Sequence, residues 1–95
     1  MDFATARRKM VDNQVRPNEV TDLRLVAAML EIPRERFVPA ERAATAYMDG
    51  NVALDDAGRV LLEPMVVGRL IQTADVKDTD HVLDVACGTG YSSAI

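Results

Sequence analysis

One cysteine, Cys87, and one histidine, His81, are the only thiol and imidazole in the 95 residues. A lone cysteine cannot close an internal disulfide, which fits a reducing compartment. His81 has no second His or Cys with which to share a metal, so it reads as an exposed polar residue rather than a ligand, and no metal is expected. Basic charge is also scarce: 11 Lys and Arg stand against 15 Asp and Glu, a formal net charge of −4. A surface for phosphate backbones calls for the opposite balance, so nucleic acid is not an expected partner. No apolar run approaches the length of a membrane span, and the first ten residues lack the apolar stretch of a signal peptide. The expectation is a cytoplasmic protein with no membrane partner. Internal repeats and low-complexity tracts are missing too. The 48 % hydrophobic content suits one small globular unit.

Taken in order, the chain begins with a helix from Asp2 to about Asn13. Phe3, Ala6, Met10 and Val11 fall near one face, with Arg7, Arg8 and Lys9 on a solvated side. Pro17 disfavours helix at Arg16 and breaks the pattern. A second helix starts near Asn18 or Thr21, either of which can cap it. Leu23, Val26, Ala27 and Leu30 follow helical spacing as its buried face, and it ends before Pro33. The connector from Ile32 to Pro39 is bracketed by prolines and anchored by Phe37 and Val38. Pro39 is suited to start a short helix over 40–46, which Tyr47 to Gly50 closes. Val52 to Leu54 and Arg59 to Leu62 read as a hairpin about the turn Asp55-Asp56-Ala57-Gly58. Glu63-Pro64 opens a helix with an apolar stripe of Val66, Val67, Leu70, Ile71 and Ala74. Met29, Met48 and Met65 are read as core or gap fillers.

After a polar loop over 75–80 comes the most informative stretch. Val82, Leu83 and Val85 form a short apolar run of the kind that makes a strand buried on both faces, and it stops at Ala86-Cys87-Gly88-Thr89-Gly90. Tyr91 to Ile95 contains no breaker and opens a helix, whose free N–H groups would face whatever the turn holds. Gly88 and Gly90 permit positive φ and close approach of a ligand to the backbone. Cys87 is read as a small buried loop residue. Asp84, inside the apolar run, must be satisfied by a ligand or by nearby backbone amides, since a buried lone carboxylate is costly.

Leu83-Asp84-Val85-Ala86-Cys87-Gly88-Thr89-Gly90 resembles the first motif of class I S-adenosylmethionine-dependent methyltransferases, a strand ending in an acid followed by G-x-G-x-G. Ala86 stands at the first glycine position. A dinucleotide-binding G-x-G-x-x-G fits less well, because its third glycine would fall on Ser93. Pro33 to Pro39, Tyr47-x-Asp49 and the hairpin running into Glu63-Pro64-Met65-Val66 narrow the likeness. In their order and spacing these segments are similar to the protein-L-isoaspartate O-methyltransferases, from about Val20 to Ile95.

The resemblance implies an α/β fold in which an N-terminal helical segment (1–46) and a short β-hairpin with connector (47–64) lead into the first strand and glycine-rich loop of a Rossmann-like methyltransferase core (65–95). It implies S-adenosylmethionine as cofactor, held by Asp84, Ala86, Cys87, Gly88, Thr89 and Gly90, and a protein or peptide substrate with an isoaspartyl carboxylate, hence a role in protein repair. Tyr47 and Asp49 are substrate-side candidates by the same analogy, or simply a turn closing a helix. A doubly wound sheet needs several βα units, so the chain reads as the N-terminal portion of a longer protein.

Two departures bear on chemistry. The family carries T-I-S-x-P before the helix at Pro64, and its hydroxyl position is Leu62 here, which leaves the catalytic residue open. Asp55-Asp56-Ala57 replaces the family's P-I-G turn. A divergent methyltransferase with another substrate, or a non-catalytic binding domain, therefore stands as the alternative. By itself the 95-residue chain is expected to be inactive. With no neighbour for the strand at Val82 to Val85, residues 80–95 are expected to be mobile or to pair with a second copy of the chain.

Overall fold

The computed structural model describes residues 2–55 and 57–95; Asp56, one of the four expected turn residues, lies outside them, as does Met1. The architecture is mixed: helices and 3₁₀ turns pack around a two-stranded antiparallel sheet. Helix α1 spans Phe3–Met10, capped by Asp2, whose carboxylate accepts from the Thr5 N–H (3.2 Å) and hydroxyl (2.6 Å). It does not stop at Asn13. A π-type turn, Val11–Val15, and a 3₁₀ turn, Arg16–Asn18, carry the helical path through Pro17.

The widened turn lets the Arg16 N–H reach the Val11 carbonyl, and Arg16 keeps right-handed helical φ/ψ of −58° and −44°. Pro17 thus changes the helix type without ending it. Asn18 closes this run rather than opening the next, since its side-chain amide donates to the Gln14 carbonyl at 2.7 Å. Glu19, at φ 68°, makes the left-handed exit.

Helix α2, Leu23–Glu31, is capped by Asp22, not by Asn18 or Thr21; Asp22 Oδ1 accepts from the N–H groups of Arg24 and Leu25. Its buried face is Leu25, Val26 and Met29, with Leu30 half-buried, whereas Leu23 is 77 % exposed and Ala27 is exposed. The expected face is kept at Val26 and Leu30 but rotated toward Leu25 and Met29, the side on which α2 meets the first helical run and α3, which leaves Leu23 outward. Two 3₁₀ turns follow, Arg34–Phe37 and Ala40–Thr45, the second in place of the expected α-helix. Val38 is buried and Phe37 packs against the core, as the proline-bracketed connector suggested.

Strands β1 (Val52–Ala53) and β2 (Val60–Leu61) pair Val52 with Leu61 and Ala53 with Val60, in agreement with the hairpin reading though shorter than expected. Helix α3, Pro64–Ala74, begins with proline at its first position, where the missing N–H costs nothing. Pro64, Val67 and Gly68 are its buried residues, while Leu70 and Ala74 are exposed. A Cβ on Gly68 would come within 3.1 Å of Val20 Cγ2 and 3.6 Å of Val15 Cγ1, so the glycine allows α3 to lie against the end of the first helical run. The Gln72 side chain fastens the same junction. Its Oε1 accepts from the Thr21 and Asp22 N–H groups (2.7 and 2.9 Å) and its Nε2 donates to the Glu19 carbonyl (2.8 Å).

The strand expected over Val82 to Val85 is not formed. The only sheet among the described residues is β1–β2, and a parallel-type strand has no neighbour with which to make a ladder. Val82, Leu83 and Val85 are correspondingly 65, 86 and 76 % exposed. A short helix α4, Tyr91–Ala94, follows the glycine-rich loop. No helix among the described residues is long and apolar enough to cross a membrane.

Candidate functional site

The turn Arg34–Phe37 is the hub from which the candidate site is held. Glu35 points toward α1: its carboxylate accepts from Arg7 Nη2 at 2.7 Å and from the Tyr47 hydroxyl at 3.1 Å, and Arg7 Nε donates to the Tyr47 oxygen at 2.9 Å. Arg7 therefore leaves the solvated side where the sequence placed it, while Arg8 and Lys9 remain exposed. Tyr47, a substrate-side candidate, is buried in this cluster instead, and desolvation pushes its phenol pKa up. Asp49 is exposed.

The other face of the same turn meets the glycine-rich loop. Thr89 Oγ1 donates to the Phe37 carbonyl at 2.6 Å, and the Phe37 and Tyr91 rings pack edge to face with centroids 5.5 Å apart. Tyr91 is completely buried, so the first residue of α4 plugs the loop into the core. Arg34, also completely buried, lies over the Tyr91 ring at 5.0 Å.

The loop backbone takes three positive φ values: 56° at Ala86, 60° at Gly88 and 93° at Gly90. Ala86 carries the side-chain strain that a glycine would avoid, on the order of 1 kcal/mol. A Cβ on Gly88 would press to 3.1 Å from Leu54 Cδ1, whereas one on Gly90 would meet nothing within 4 Å. Gly90 N–H closes the turn on the Cys87 carbonyl at 3.0 Å. Cys87 itself is exposed, not buried as expected, because nothing among the described residues packs over the outer side of the loop.

Asp84 is met by side-chain hydroxyls rather than by the nearby backbone amides expected. The Ser92 and Ser93 hydroxyls donate to its Oδ2 at 2.6 and 2.8 Å, and these two bonds, Ser92 first, hold the carboxyl below the usual carboxylate range. Oδ1 is left free of both. The two serines were not singled out in the sequence. Their signal was available, since adjacent hydroxyls in the first turn after a glycine loop lie within reach of an acid that precedes it.

An open cleft of about 710 Å³ brings these parts together. Asp84, Ala86, Cys87 and Gly88 line one side; Leu54, Leu61 and Leu62 from the hairpin and Leu70 and Ile71 from α3 line the rest. Thr89 and Gly90 do not line it, the first being turned back to Phe37 and the second leading into α4. The cleft thus joins the acid–glycine loop to Leu62, the position at which the resemblance calls for a hydroxyl.

The profile of the protein-L-isoaspartate(D-aspartate) O-methyltransferase family matches residues 5–95. The chain belongs to that family. Among its relatives, protein-L-isoaspartate O-methyltransferases from Koribacter versatilis and Aeropyrum pernix are 38 and 39 % identical, each over 98 % of this chain. Another of that name, from a Roseiflexus species, is 35 % identical over the whole chain. The chain spans 41, 35 and 43 % of the lengths of these three relatives, respectively. The match covers the helical segment, the hairpin and the loop alike, so the family likeness does not depend on the glycine motif alone.

Proposed function

We propose that this chain is the N-terminal, cofactor-loop portion of a longer S-adenosylmethionine-dependent protein carboxyl methyltransferase of the isoaspartyl type, with a Rossmann-like core and a cytoplasmic role in protein repair. The observation that carries the reading is the convergence of the Asp84–Gly88 loop and the hairpin residue Leu62 on one cleft. Its volume lies within the range of small-molecule sites. The residues present fit such a cofactor: positive φ at Gly88 and Gly90 leaves backbone open to close approach, and Asp84 Oδ1 is free to accept from an ammonium or hydroxyl group.

When bound, the cofactor would supply an electrophilic methyl group on a sulfonium sulfur. A carboxylate nucleophile is already ionised, so its attack needs positioning and exclusion of water more than a general base. In this chain Asp84, Ala86, Cys87 and Gly88 would position the donor, with Thr89 and Gly90 fixing the loop from behind. Leu54, Leu61, Leu62 and Leu70 supply apolar walls that exclude water.

Titrating S-adenosylmethionine calorimetrically into the full-length protein that carries this chain, and into its Gly88→Val variant, tests the reading. A β-branched residue at φ 60° with its Cβ against Leu54 distorts the loop, so binding should weaken by about tenfold or more with circular dichroism unchanged. Equal affinities would remove the loop from the site.

A further inference from the structure

We infer that Arg34 is a positioning residue, tying the hairpin exit at Leu62 to the helix that anchors the glycine-rich loop, so that the acceptor side and donor side of the cleft keep one register. The inference rests on the methyltransferase reading above for its functional meaning, but not for its geometry. Arg34 is wholly buried, and among the described residues no carboxylate forms a salt bridge with it. A buried guanidinium without a counter-ion is costly, and burial pushes its pKa down. What offsets that cost is a set of contacts to three separate segments. Nε donates to the Ala46 carbonyl at 2.5 Å, Nη2 donates to the Leu62 carbonyl at 2.9 Å, and the guanidinium carbon lies 5.0 Å from the Tyr91 ring centroid.

The two hydrogen bonds leave different nitrogens of one rigid planar group, and the same group lies over the Tyr91 ring. Leu62 is therefore held by its backbone, independently of its side chain, at a set distance from α4. Tyr91 transmits the constraint to the loop, because it is the residue directly after Gly90. Among the described residues Arg34 Nη1 and the Tyr91 hydroxyl are both buried without a hydrogen-bond partner, so the arrangement is not one that hydrogen-bond count alone would select. Glu35, the next residue, faces the opposite way toward Arg7, which separates the α1 contact from the loop contact.

The test compares full-length Arg34→Lys with Arg7→Met, which breaks the ion pair that Glu35 of the same turn makes with α1. Lysine keeps the charge but cannot donate from two fixed nitrogens to Ala46 and Leu62 at once. Arg34→Lys should weaken S-adenosylmethionine binding by about tenfold while Arg7→Met changes it by less than about twofold, although both lower the melting temperature. In ligand-free protein, Arg34→Lys should also shift the backbone amide resonances of Gly88 and Gly90, which it does not touch, and Arg7→Met should leave them in place.

If the wild type fails to bind the cofactor, the functional reading falls, and the amide shifts still decide the positioning role. Unmoved Gly88 and Gly90 resonances in Arg34→Lys, or equal loss of affinity in Arg7→Met, would overturn it.

Discussion

Leu62 stands at the position where the resemblance calls for a hydroxyl. Its carbonyl is engaged by Arg34, while its side chain is 38 % exposed along the cleft wall and offers no hydrogen bond to a substrate carboxylate. A site built to hydrogen-bond its substrate loses much when the donor is missing. The full-length protein should therefore methylate isoaspartyl peptides weakly, and Leu62→Ser should raise the rate, because the backbone contact with Arg34 is unchanged. A methanol-release assay on an isoaspartyl peptide measures both, and robust turnover that Leu62→Ala leaves unaltered would contradict the argument. Ala86 tells the complementary story. A residue other than glycine at φ 56° is tolerated because the loop is pinned on either side, by the serine bonds to Asp84 and by Thr89 on Phe37.

At the scale of elements, the boundaries are set by short carboxylate caps and by one glycine. Asp2 and Asp22 cap α1 and α2, and in both the leading cause of a lowered pKa is a side-chain hydrogen bond, from Thr5 and Arg24 respectively. Both carboxyls, like that of Asp84, titrate lower folded than unfolded. Their contribution is complete above the unfolded-state value near ~3.9 and is lost as the pH falls through the lower folded values. Asp22→Ala should accordingly lower the melting midpoint at about pH 7, with a deficit that shrinks toward about pH 3. Thermal melts of both proteins at the two pH values check this, and a deficit that grows on acidification would show the sign to be wrong.

For the whole molecule, the distribution of exposed apolar residues is the main fact. Leu70, Val82, Leu83 and Val85 are 58, 65, 86 and 76 % exposed along one side, while Met10, Val11, Val15, Val20 and Met29 are at most 1 % exposed on the other. The helical half is packed, while Val82, Leu83 and Val85 join no sheet among the described residues. In the 95-residue chain the amides of 82–85 should exchange rapidly when dilute, and gain protection at high concentration if uncovered edges pair between copies. Hydrogen exchange at two protein concentrations reads this out. Strong protection that is independent of concentration in a monomer would mean that the segment completes its own cover.

The sequence by itself determined the hairpin about its four-residue turn, the start of α3 at Pro64 and the acid–glycine loop, because each rests on local chemistry: turn residues, a proline without an N–H, glycines at positive φ. The family was legible for the same reason, as its motifs are short and contiguous. Tertiary structure decided the rest. Passage through Pro17 needed a widened turn whose cover comes from α3 at Gly68. The face of α2, Leu25, Val26, Met29 and Leu30, keeps helical spacing but was rotated to meet the first helical run and α3. Arg7 and Tyr47 were drawn inward by Glu35, a partner 28 and 12 residues away. Asp84 found its donors eight and nine residues on, in Ser92 and Ser93, and Arg34 found carbonyls 12 and 28 residues away. Buried polar groups take whichever partners the packed chain brings within about 3 Å, and that proximity is a property of the fold and not of any window of sequence.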